Sequence, residues 1–224
     1  MKVSFVFDDG FAESCLKVAD IYEARGLGAT FAVLVNHEGF MPDFPKGDMK
    51  LWNELIARGH VVHPHGWDHS DLITIAHQDA CDSIERCLAY FEKHLTGFVA
   101  KQSMYHFTYN RSTPELESFA LEKVRAIRAT GRAGQVSDGC NELEVIKNGR
   151  YQCFWHGPEY CDEAVMEALS HAKNVQADHF MVMLHGLDGE GWGPMKSETL
   201  ERILDQMMAD DSMRYDDLSG KGRV

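Results

Sequence analysis

The sequence predicts an α/β fold in which strands alternate with helices, as a parallel sheet or a closed barrel requires. Three observations carry that reading. Val3–Phe7 and Phe180–Leu184 are short apolar runs of strand character that end abruptly on polar residues. The segments between strands carry apolar side chains at helical spacing and close on glycine. The polar residues of chemical interest fall just after strands, where α/β folds place their sites.

Taken in order, Val3–Phe7 predicts a buried strand that stops at the turn Asp8-Asp9-Gly10. Leu16, Ala19, Ile21 and Tyr22 predict a helix over 12–25, stopped by Gly26 and Gly28, and a second strand over 29–35 completes a β-α-β unit. Leu51, Trp52, Leu55 and Ile56 predict a helix over 48–58, closed at Gly59 and followed by a short third strand, His60-Val61-Val62-His63. Cys81, Ile84, Cys87, Leu88 and Phe91 share one face of a helix over 79–94. An aromatic-rich strand and loop follows over 104–110, then a helix over 114–128. From Gly131 to Tyr160, short apolar pieces alternate with Gly and Asn, which predicts short strands. Residues 163–173 read as a helix, Phe180–Leu184 as a strand delivering His185-Gly186, and 197–208 as a helix after a loop that holds Trp192 and Pro194.

The 224 residues suit one large core, and there are neither repeats nor low-complexity linkers, so a single domain over 1–224 is expected. With 35 Asp plus Glu against 22 Lys plus Arg, the formal net charge of −13 disfavours nucleic acid and anionic membrane surfaces as partners. The six cysteines, at 15, 81, 87, 140, 153 and 161, form no CxxC pair and no dense framework, and read as reduced thiols. The chain reaches its two aspartates directly after Met1-Lys2-Val3-Ser4-Phe5-Val6-Phe7, and no apolar run is long enough to span a membrane, so a cytoplasmic location is expected.

Three local features carry chemistry, and each also has a plain structural reading. His65-Gly66-Trp67-Asp68-His69 sets two imidazoles four residues apart, as one helical turn would present them to a single metal ion, although with 12 histidines such pairs also arise by chance. Asp8-Asp9-Gly10 is equally a turn whose carboxylates bond their own backbone. His185 after an apolar strand is equally a buried imidazole bonded to a carbonyl. Together they supply what a catalytic metal site needs: three ligands from Asp and His, an open position, and groups to accept and donate a proton.

Phe5-Val6-Phe7-Asp8-Asp9-Gly10 resembles the opening motif of the polysaccharide deacetylases, the NodB homology domain, and His65-Gly66-Trp67-Asp68-His69 resembles their H-[S/T]-x-x-H motif. The similarity continues through Gly28–Val33, Gly59-His60, Ser70 and Leu72, Leu184-His185-Gly186, Trp192-Gly193-Pro194 and Tyr215–Leu218, and so spans nearly the whole chain. The resemblance implies a distorted (β/α) barrel of about seven strands. It implies a metal-dependent carbohydrate esterase-type hydrolase that removes N- or O-acetyl groups from an acetylated sugar, with Asp8 as base, Asp9, His65 and His69 as ligands to a divalent metal, zinc first, and His185 as acid. Tyr109 would count among the catalytic residues, with a backbone N–H near it serving the oxyanion.

The chain departs from the family in its third and fourth motifs. Where an arginine-proline-tyrosine motif is usual, it has His106-Phe107-Thr108-Tyr109-Asn110. His106 stands in the arginine's approximate place, Tyr109 in the tyrosine's, and Asn110, which tolerates a left-handed backbone, in the glycine's. For the residues that support the catalytic pair, Arg125, Arg128, Trp155 and His156 are all candidates. Trp192 suits an acetyl pocket or a loop anchor. Two other readings stand beside sugar deacetylation: a hydrolase of another C–N bond in a small non-sugar amide, and an inactive glycan-binding module.

Overall fold

In the computed structural model, which describes residues 1–131 and 137–220, β1 (Lys2–Asp8) is the central strand of the larger sheet. Six of its seven residues are buried, which is why its sequence reads as an unbroken apolar run and not as an alternation. It lies between β2 (Thr30–Val33) and β8 (His179–Leu184), both parallel to it, and β3 (Val61–Pro64) extends the sheet beyond β2. The two-residue strands β6 (Cys140–Asn141) and β9 (Arg214–Tyr215) add to β8 and β1, the former antiparallel.

A second, three-stranded parallel sheet runs β4 (Met104–His106), β5 (Ala126–Arg128), β7 (Arg150–Tyr151). The two sheets meet at two seams. At one, Phe154, just past β7, bridges Val182 of β8; at the other, Met104 N–H donates to His63 Nδ1 at 3.3 Å, so a side chain stands in for a ladder bond between β3 and β4. Among the described residues the parallel strands therefore form two sheets, β3-β2-β1-β8 and β4-β5-β7, that touch at these two seams without a continuous ladder. β6 and β9 lie outside these two runs.

Seven α-helices flank the sheets among the described residues: α1 (Ala12–Glu23), α2 (Met49–Ala57), α3 (His77–His94), α4 (Pro114–Leu121), α5 (Leu143–Lys147), α6 (Asp162–Asn174) and α7 (Ser197–Met208). α2 starts where the Asp48 side chain accepts from Leu51 N–H, and α4 where Thr113 accepts from Leu116 N–H ahead of Pro114 at the first turn. Trp52 and Leu55 of α2 and Val18, Ala19 and Tyr22 of α1 are buried in the main core with Phe5, Phe7 and Phe31. No described helix is long and apolar enough to cross a membrane.

Three sequence expectations change. The helix expected over 114–128 ends at Leu121, and residues 126–128 are a strand. The buried Leu116, Ala120, Val124 and Ile127 keep helical spacing straight through the boundary, which is why periodicity alone carries the helix too far. The chain is instead drawn into the second sheet, where Arg125 N–H donates to Ser103 C=O and Ile127 N–H to Gly149 C=O. Between 131 and 160 the short strands β6 and β7 form as expected, but 143–147 is a helix, and 132–136 lie outside the described residues. The third strand starts one residue late because His60 is a connector whose Nδ1 accepts from Ala29 N–H.

Candidate active site

The register of the parallel strands assembles the site. Phe7 pairs with Leu184 at the last rung of the β1–β8 ladder, so Asp8 and His185 are the next residues on adjacent strands. Val33 pairs with Pro64 at the last rung of β2–β3, and His65 N–H donates to Val33 C=O one step further. The C-terminal ends of β1, β3 and β8 therefore bring Asp8, Asp9, His65 and His185 to one place from positions up to 177 residues apart in the chain.

The expectation of a helical turn for His65–His69 is not met. Gly66 takes φ +121°, outside the helical region, and the loop is pinned to the end of β2 by Val35 N–H to Gly66 C=O and Asn36 N–H to Trp67 C=O. The two imidazoles still converge, with ring centroids 5.6 Å apart. His65 Nε2 and His69 Nε2 each lie 3.4 Å from the same oxygen, Asp9 Oδ1, and that oxygen is buried with no hydrogen-bond partner among the described residues. A tetrahedral site with bonds of about 2.0 Å has donor atoms about 3.3 Å apart along each edge, so the spacing fits three ligands around a common centre. Asp9 holds a left-handed φ of 70°, a conformation that is strained in a non-glycine residue.

Electrostatics give the same answer. Asp8 and Asp9 are both buried; the Arg128 guanidinium pairs with Asp8, while Asp9 lies against the imidazoles of His65 and His69. Burial alone would raise the Asp9 pKa, but the close approach of His65 and the positive potential of His185, His65 and His69 bring it well below the ordinary carboxylate range. For His65, burial opposes the charged form and the two aspartates outweigh it, so its pKa is raised. His69, which is nearer the rim, is pushed down to about 4 by burial. His65 Nδ1 donates to His106 C=O at 2.9 Å, which fixes the tautomer and leaves Nε2 free to present a lone pair inward.

The arginine that the third motif lacks comes from another strand. Arg128, the last residue of β5 and fully buried, donates through Nη1 and Nη2 to Asp8 Oδ1 and Oδ2 at 2.8 and 2.5 Å. His106, in the sequence place of that arginine, contributes its backbone carbonyl to His65, while its side chain is buried against His63 with ring centroids 5.5 Å apart. Burial, then the nearby charge of Arg128, holds the His106 imidazole well below its ordinary pKa. Tyr109 and Asn110 both take left-handed backbone, φ 55° and 53°, so Asn110 fills the glycine-like place and Tyr109 adds a strained neighbour.

Of the other candidates, Trp155 packs on Trp192 at 5.6 Å, and Trp192 meets the His185 ring edge-on at 5.2 Å. Burial holds the His185 pKa below its ordinary value despite Asp9 and Asp8. Trp192 is both pocket wall and anchor, since a Cβ at Gly157 would sit 2.5 Å from its ring. Arg125 and His156 are not brought to the site: Arg125 donates to Gln102 and Leu218 carbonyls, and His156 is exposed. The cavity above Asp8, Asp9, His65, His69 and His185 measures about 410 Å³ and is walled by Phe40, Met41, Tyr109, Met183, Trp155 and Trp192. A second group of ligand-type side chains, Asp138, Cys140 and His171, lies on the surface, where burial and Asp138 push the Cys140 thiol up to about 11.

The polysaccharide deacetylase family model matches residues 1–126. A probable peptidoglycan-N-acetylglucosamine deacetylase of Arthroderma benhamiae is 33% identical over 73 residues, which is 33% of this chain and 16% of that protein. The crystal structure of the Bc1960 peptidoglycan N-acetylglucosamine deacetylase superposes with a TM-score of 0.61 at 16% identity, over 96% of this chain and 85% of the other. A family 4 acetyl xylan esterase from Clostridium thermocellum, in complex with a cobalt ion, superposes with a TM-score of 0.58 at 17% identity, over 96% and 87% of the two chains. At those identities the structural likeness establishes the α/β fold.

Proposed function

The chain belongs to the polysaccharide deacetylase family, and on that premise we propose that it is a metal-dependent deacetylase that removes N- or O-acetyl groups from a carbohydrate. The observation that carries the reading is the meeting of His65 and His69 on one orphaned oxygen of Asp9, beside a second carboxylate held by Arg128.

Asp9, His65 and His69 would hold a divalent cation, zinc first, which when bound polarises an acyl carbonyl and acidifies water. Asp8 is the general base. Its two oxygens are oriented by Arg128, and its Oδ2 lies 3.4 Å from His65 Nε2, which puts it at the edge of the ligand set and free to take a proton. A backbone N–H near Tyr109, where residues 109 and 110 both hold left-handed backbone, would serve the developing oxyanion. His185, on the adjoining strand, gives a proton to the departing amine or alcohol, and Trp192 against its ring fixes the direction of donation. The wall of aromatic and methionine side chains excludes water and receives the acetyl methyl group.

The test is acetate release from acetylated mono- and oligosaccharides, with and without a chelator. Release that stops on chelation and returns with zinc is expected, and release indifferent to chelation would remove the reading. The second reading is a hydrolase of a small non-sugar amide. A parallel panel of small amides separates the two. Cytoplasmic residence of the enzyme is part of the proposal and is checked by fractionating cells that express the full-length protein.

A further inference from the structure

His65 and His69 are held in different ways. The Nδ1 of His65 donates to a backbone carbonyl, as ligating imidazoles usually require of their second nitrogen. The Nδ1 of His69 is buried and has no hydrogen-bond partner among the described residues. Ring contacts hold His69 in its place. Phe40 stacks on one face with centroids 4.2 Å apart and planes inclined by 21°, and Tyr109 meets the ring edge-on at 4.5 Å.

Phe40 belongs to the loop between β2 and α2, and that loop is tied down by one ammonium group. Lys46 Nζ donates to the carbonyls of Phe40, Met41 and Phe44 at 3.3, 3.0 and 2.9 Å and lies 4.4 Å above the Phe11 ring. The stem of the loop is stitched to the chain just past the two aspartates: Ala12 N–H donates to Pro45 C=O, and Gly47 N–H to Gly10 C=O. The loop that carries Phe40 is therefore in register with the segment that carries Asp9.

We propose that Phe40, fixed by Lys46, is a positioning residue that holds the His69 imidazole at the angle a cation shared with Asp9 and His65 needs, in place of the missing hydrogen bond. The inference rests on the reading of Asp9, His65 and His69 as a ligand set. A flat ring against a flat ring restricts rotation about the imidazole's last torsion, whereas an aliphatic side chain of similar volume leaves that torsion free.

The experiment measures Zn²⁺ affinity by chelator competition and the visible absorption of bound Co²⁺, in a Cys140→Ser background so that the surface group at Asp138, Cys140 and His171 contributes no thiolate. Phe40→Leu is expected to weaken Zn²⁺ binding about tenfold, at the lower end of what losing a support of a ligating imidazole costs, and to alter the Co²⁺ spectrum. Phe40→Tyr, which keeps the stack, should restore both, and Lys46→Met should behave as Phe40→Leu does. Equal affinity and an unchanged spectrum in a folded Phe40→Leu protein would overturn the proposal and leave the ligand set standing. Failure of the parent protein to bind either ion would overturn the ligand set itself, and this proposal with it.

Discussion

Replacing Arg128 with methionine tests the most buried electrostatic element of the site. The guanidinium is completely shielded from solvent and makes two bonds, at 2.8 and 2.5 Å, to a carboxylate that is equally shielded. Burial works against its charge, but Asp8 outweighs burial and raises the Arg128 pKa above its ordinary value. Methionine fills most of the volume and leaves the Asp8 carboxylate buried without its partner, which costs about 3–5 kcal/mol. Asp8→Asn strands the guanidinium in the same way and costs a similar amount. Arg128→Met with Asp8→Asn removes both charges, so it should cost less than the sum of the single changes, with a coupling of about 2–3 kcal/mol. Urea unfolding of the four proteins at neutral pH, with metal removed from all of them, measures that coupling. Additivity to within about 0.5 kcal/mol would show that the two groups do not act as a pair and would refute the reasoning.

Three further outcomes are expected. Asp8→Asn should retain bound metal and lose about 10²–10⁴-fold in turnover, whereas His65→Ala should lose the metal; elemental analysis beside acetate release distinguishes them. Stability should fall as pH drops from 6.5 to about 4, because burial holds His179 at about 4 in the folded protein against 6.5 when unfolded. His179 Nε2 donates to Ser4 Oγ, whose own proton goes to Asp216 C=O, and its buried Nδ1 has no hydrogen-bond partner among the described residues, so a second proton finds no acceptor and the folded state keeps the neutral form; the contribution is complete above pH 6.5 and is lost as pH falls toward 4. A His179→Gln protein should show a correspondingly shallower fall in urea midpoint over that window. Gly186→Ala places a Cβ 2.1 Å from Glu190 C=O and should destabilise by about 1–3 kcal/mol in urea unfolding while displacing the neighbouring His185.

The parts of the site legible from sequence are those where one strand hands over directly to its functional residue. Val3–Phe7 running into Asp8-Asp9-Gly10 and Phe180–Leu184 running into His185 are each a complete local statement: ionisable groups are costly to bury, so an apolar run that gives way to them marks the end of the strand's apolar stretch and the place where polar chemistry begins. Family likeness then joins pieces that local pattern leaves separate. The interval 114–128 was illegible because its apolar residues keep helical spacing through a change of structure, and that change puts Arg128 on a strand.

By itself, then, the sequence determined the alternation of strands and helices, the residues at the strand ends and their kinds of chemistry, since these follow from hydrophobic period and from the cost of burying charge. Only the tertiary structure decided who pairs with whom. Arg128 reaches Asp8 across 120 residues, and Phe40 stacks on His69, whose Nδ1 has no hydrogen-bond partner among the described residues. Such partnerships depend on sheet order and on loop paths fixed by backbone bonds such as those at Gly10 and Gly66, and no periodicity along the chain records them.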